Sequence, residues 1–93
     1  MIPVKQLTPS VVTDLLRRQP LSPAKVGFAW RIAAGPALAR AATAELREDG
    51  TIAIRTTTAA WTREVERSRG LLLARMQEML GPDVATRLVV RQA

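Results

Sequence analysis

Arg63, Arg67 and Arg69, with Arg55 shortly before them, are the residues best suited to chemistry in this chain, and that chemistry is anion binding. Arg63 and Arg67 stand four apart, so on a helix they share a face, and Arg69 follows at its far end. Guanidinium groups in such a ridge present planar, paired N–H donors that suit phosphate oxygens. Glu64 and Glu66 each precede one of these arginines by three residues. They can neutralise the ridge, so a solvated, internally paired helix face is the competing reading. Trp30 and Trp61 are the two rigid aromatic anchors a protein partner could use. An indole at helical spacing with Val26 or Val65 more commonly belongs to the core, and that is the reading adopted for both.

Acid–base and nucleophilic catalysis find little support. The chain contains no His and no Cys, which removes thiolate metal sites, disulfides and the commonest general base. Glu64 and Glu66 are two apart and point in different directions on a helix, while Glu48 and Asp49 share an exposed turn. Ser68-Arg69-Gly70 has no neighbouring Lys, and Gly27 and Gly35 form no phosphate-cradling loop. We therefore expect a non-enzymatic protein with no cofactor, no metal and no small-molecule substrate.

The stretch that must position these side chains runs from Leu46 to Trp61, LREDGTIAIRTTTAAW, and reads as a hairpin entering a helix. A two-residue Asp49-Gly50 loop would set Leu46 opposite Ala53 and split the apolar set between faces. A three-residue loop, Glu48-Asp49-Gly50, with Gly50 at positive φ, instead pairs Leu46 with Ile52 and Ala44 with Ile54. That register puts all four on one face and leaves Glu45, Arg47, Ala53 and Arg55 on a solvated one. The short threonine link to the helix then predicts that Arg55 shares one side of the domain with Arg63, Arg67 and Arg69.

Around this hairpin the helix signals are local. Thr8-Pro9 and Ser22-Pro23 each combine an N-cap with a proline at the first helical position. Val12, Leu15 and Leu16 stripe the first helix, and Val26, Trp30 and Ala33 the second, which should end near Gly35-Pro36. A further turn is possible over Ala37 to Ala41. From Thr58, read as an N-cap, an apolar stripe of Trp61, Val65, Leu72, Met76 and Leu80 continues through Gly70, predicting either one bent helix or two with a joint at Ser68 to Gly70. Arg87-Leu-Val-Val-Arg91 suits a last strand beside the hairpin. The order α-α-β-β-α(-α)-β gives an α+β domain, with helices on one face of a small three-stranded sheet.

Ninety-three residues at 47% hydrophobic content fit a single domain over residues 1–93, with an N-terminal helix region at 1–20. Fourteen basic residues against eight acidic give +6, and twelve of the fourteen are Arg. This surplus favours a polyanionic partner, although an Arg- and Ala-rich composition is also what a GC-rich coding sequence yields. No apolar run approaches the ~20 residues of a membrane span and no leader is evident, so a cytoplasmic location without membrane contact is expected.

Taken together, Trp30-Arg-Ile-Ala-Ala-Gly35-Pro-Ala-Leu38, Ala44-Glu-Leu46, Asp49-Gly50, Ile52-Ala-Ile54, Ala59-Ala60-Trp61 and Met79-Leu80-Gly81, with Val65, Val84 and Leu88, resemble the DciA family of bacterial replicative-helicase operators and loaders. The likeness covers roughly residues 24–91, and its specificity lies in the ordered set. It implies a K-homology-like domain that binds the replicative helicase and assists its loading on single-stranded DNA. One feature departs from that pattern. Nucleic-acid-gripping K-homology domains carry a G-x-x-G loop between helices, and Ser68-Arg69-Gly70-Leu71 has a single glycine there. Two readings follow: an adaptor docked on the helicase, with Trp30 and Trp61 as candidate anchors and weak electrostatic DNA contact through Arg55, Arg63, Arg67 and Arg69, or a free-standing single-stranded nucleic-acid-binding module.

Overall fold

A computed structural model describes residues 9–93, without the side chains of residues 9, 10 and 12. The Thr8 cap and the Val12 side chain therefore lie outside the described residues. Five helices and three strands follow in the order α1 (Pro9–Arg18), α2 (Pro23–Ala34), α3 (Pro36–Ala41), β1 (Ala42–Leu46), β2 (Thr51–Thr56), α4 (Ala59–Arg67), α5 (Arg69–Leu80) and β3 (Arg87–Gln92). This is the expected α+β layout, with the possible turn after Gly35 realised as α3.

The hairpin adopts the register that keeps its apolar residues together. Leu46 faces Ile52 and Ala44 faces Ile54, the loop is closed by the Arg47 N–H donating to the Thr51 carbonyl at 2.9 Å, and Gly50 sits at φ 87°. Ile52 and Ile54 are fully buried, whereas Leu46, at the end of an edge strand, is half-buried. β3 pairs with β2 in parallel, making a mixed sheet of order β1-β2-β3. Leu88 therefore falls beside Ile52 and Val90 beside Ile54.

The helices cover that apolar face. Val26, Ala29, Trp30 and Ala33 of α2, Val65 of α4, and Leu72, Met76, Met79 and Leu80 of α5 form one core with Ile52, Ile54 and Leu88. Ser22 caps α2 by accepting the Lys25 N–H, with Pro23 at the first helical position, and Thr58 caps α4 by accepting the Trp61 N–H at 3.1 Å. Arg75 of α5 donates to the Ala33 carbonyl at 2.9 Å, placing a cation on the carbonyl end of α2 and locking the two helices together. On α1, which packs on α5, Leu16 enters the core but Leu15 is exposed.

The choice at Gly70 is resolved two residues earlier. Ser68, at φ −103° and ψ 12°, ends α4 and precedes α5, so the apolar stripe crosses two helices. Gly70 itself has no positive φ, and an added Cβ would meet nothing within 4 Å. Gly70→Ala should therefore stabilise the domain by about 0.5–1 kcal/mol through helix propensity and a less flexible unfolded chain. Urea denaturation checks this, and a loss of stability would show that the joint needs its glycine.

Candidate nucleic-acid and partner interface

β-strand alternation divides the sheet into a covered and an open face. With Ile52, Ile54 and Leu88 turned to the helices, Thr43 and Glu45 of β1 with Arg47 just beyond it, Thr51, Ala53 and Arg55 of β2, and Arg87, Val89 and Arg91 of β3 turn the other way. Registered across the strands they form three rows. Arg47, Thr51 and Arg87 make the row next to the hairpin turn, Glu45, Ala53 and Val89 the middle row, and Thr43, Arg55 and Arg91 the far row. Arg47, Arg55, Val89 and Arg91 border a shallow trough on this face.

Charge is unevenly compensated there. Arg87 lies 3.6 Å from the Asp49 carboxylate and donates to the Thr51 hydroxyl at 3.0 Å. Asp49 accepts the Thr51 N–H, and that hydrogen bond, followed by the one to the Thr51 side chain and the nearby Arg87 and Arg47, lowers its pKa below the usual aspartate value. Arg47, Arg55 and Arg91 form no ion pair among the described residues. Arg55 and Arg91 are direct cross-strand neighbours.

The expected ridge is divided. Arg63, Arg67 and Arg69 lie on α4 and at the start of α5, whose Val65 packs into the core beneath the covered face. Arg55 alternates with Ile54 and points to the open face. A short link in sequence does not put a strand residue and a helix residue on one side when the sheet lies between them. Arg67 pairs with Glu64 at 3.7 Å and Arg69 with Glu66, the neutralisation that their i,i+3 spacing allows. Sequence reading missed Arg87 and Arg91 as partners of Arg55, although their four-residue spacing on a strand already gives them a common face.

The two tryptophans separate as well. Trp30 is 2% exposed and its indole N–H donates to the Ala42 carbonyl at 3.0 Å, so it is a core residue with no surface for a partner. Trp61 is half-buried against the core and borders a groove with Ala34, Leu38, Ser68, Leu71 and Arg75. Leu71 in that groove is 55% exposed. Elsewhere, α2 is apolar on both sides: opposite its buried face it leaves Phe28 43% and Ile32 42% exposed, with the Arg31 guanidinium 5.6 Å from the Phe28 ring centroid. The i,i+4 spacing of Phe28 and Ile32 was the sequence signal for this second face.

Among the described residues no cluster of His, Cys, Asp or Glu could hold a metal ion, and no helix is long and apolar enough to cross a membrane. The family model described as "Dna[CI] antecedent, DciA" matches residues 3–90. No curated protein matches the chain.

Proposed function

We propose that this chain, which belongs to the DciA family and so to the proteins of replicative-helicase loading, is a non-enzymatic adaptor that binds the replicative helicase and assists its placement on single-stranded DNA in the cytoplasm. The family match across residues 3–90 is the observation that carries this reading. The surface supports it. Exposed Phe28, Ile32 and Leu71, with half-buried Trp61, give apolar area that the domain's own packing leaves uncovered, and large apolar side chains in a groove are what a protein partner desolvates. Trp61 is the anchor retained from the sequence reading, and Trp30 supports it only through the core.

The test is co-purification with the replicative helicase of the same organism. Apolar docking predicts that the wild type is retained at high salt, whereas Phe28→Ser/Ile32→Ser or Leu71→Ser loses the helicase at an unchanged melting temperature. Retention that disappears with salt alone, or is indifferent to both variants, would remove the apolar contact. The second reading, a free-standing single-strand binder, draws its support from the open arginine face of the sheet.

A further inference from the structure

We propose that the open face of the sheet is a track for single-stranded nucleic acid, engaged through Arg55 and Arg91 at one end and Arg47 and Arg87 at the other. The proposal rests on the adaptor reading for its biological setting and gives the DNA contact a place, on the opposite side of the sheet from the α4–α5 joint. Arg55 and Arg91 face each other on neighbouring strands, about 4.8 Å apart in the hydrogen-bonding direction. Like charges so placed repel, and no carboxylate pairs with either among the described residues. A phosphate between them relieves that repulsion and receives two guanidinium forks.

The spacing of the rows selects the kind of anion. Arg87 and Arg91 are four residues apart on β3, which is about 13 Å at strand rise, too far for one phosphate and suited to two non-adjacent phosphates of an extended chain. Between the rows lie Ala53 and Val89, an apolar floor over which sugars and bases can pass without desolvating a buried charge. Glu45 is the one carboxylate in the middle row, at the β1 edge, and it confines the anion to the β2–β3 side. Acidic peptide is the less favoured occupant, because its carboxylates would use the two rows but not the apolar floor. No aromatic side chain stands on this face, so binding is expected to be weak at physiological salt and indifferent to sequence.

The α4–α5 joint offers less. Glu64 and Glu66 already hold Arg67 and Arg69, which leaves Arg63 as the unpaired cation of that ridge among the described residues.

The measurement is oligo(dT) affinity across a salt series for the full chain, Arg55→Gln/Arg91→Gln and Arg63→Gln/Arg67→Gln, with helicase co-purification run on all three. Each lost phosphate contact lowers the log–log salt slope by about 0.7. Because the sheet pair shares one phosphate, losing it should lower the slope by about 0.7 and weaken binding at least tenfold at low salt, while the helix pair leaves the slope near wild type. Melting of the sheet pair should be unchanged or raised, since a like-charge contact is removed. A wild-type slope in the sheet pair, a larger drop in the helix pair, or no oligonucleotide binding by the wild type would overturn the track, and equal affinity for polyglutamate would overturn its assignment to nucleic acid. Helicase retention by the sheet pair separates such a failure from failure of the adaptor reading, which would show as loss of helicase from the wild type itself.

Discussion

Trp30→Ala should cost the domain about 3–5 kcal/mol, a large part of the ~5–15 kcal/mol that holds a typical small domain together. Trp30 is 2% exposed and packs among Val26, Ala29 and Ala33 of its own helix and the first residue of β1. Truncation opens a cavity where α2, α3 and the sheet meet. It also strips the Ala42 carbonyl of the indole N–H that it accepts at 3.0 Å, and a buried acceptor left unpaired costs about 1–3 kcal/mol. Trp30→Phe separates the two contributions, because it keeps most of the apolar volume and removes only the donor. Urea unfolding followed by circular dichroism should rank the variants wild type, Trp30→Phe, Trp30→Ala. Trp61→Ala should fall short of Trp30→Ala, since that indole is already partly in solvent. A Trp30→Ala protein that melts like the wild type would contradict the buried placement.

The hairpin was legible in the sequence because two independent constraints agreed on it. The pleat required Leu46, Ile52 and Ile54 to share a face, and only a three-residue loop ending in Gly50 satisfied that requirement. The caps at Ser22 and Thr58 were legible for a similar reason, since each is a local motif completed within three residues. The break at Ser68 was legible only as one of two alternatives. The apolar stripe from Val65 to Leu72 keeps helical spacing across the joint, and the one visible breaker, Gly70, turns out to be an ordinary helical residue.

The site was harder to read because faces depend on what lies between elements. Arg55 is only eight residues from Arg63, yet the core separates the directions in which they point. Conversely, Arg55 and Arg91 are thirty-six residues apart and become neighbours through the parallel β2–β3 pairing, a crossover whose register no local motif specifies. On α2 the stripe of Val26, Trp30 and Ala33 is the buried one, as its spacing predicted, whereas the second apolar face, with Phe28 and Ile32 exposed, was not read from the sequence.

Gly50→Ala is the second large effect, expected at about 2–4 kcal/mol from left-handed backbone strain together with overpacking. At φ 87° the glycine closes the hairpin, its N–H donating to the Arg47 carbonyl at 3.0 Å and its own carbonyl accepting the Thr86 N–H at 2.9 Å. An added Cβ would lie 2.6 Å from the Thr86 hydroxyl and 3.1 Å from the Val84 carbonyl. The threonine can rotate away, but the carbonyl belongs to the backbone that leads into β3. A double-mutant cycle with Thr86→Ala divides these terms: the double variant should regain the part due to the hydroxyl and keep the part due to φ and the Val84 carbonyl. Because the same turn holds Arg47 in one row with Arg87, across Thr51, at the end of the open face, partial unfolding here should also weaken oligonucleotide binding in proportion to the native fraction lost. A Gly50→Ala variant within about 0.5 kcal/mol of wild type, the range of an inconsequential surface change, would mean that the turn is not closed in this way and that the register of the whole sheet must be reconsidered.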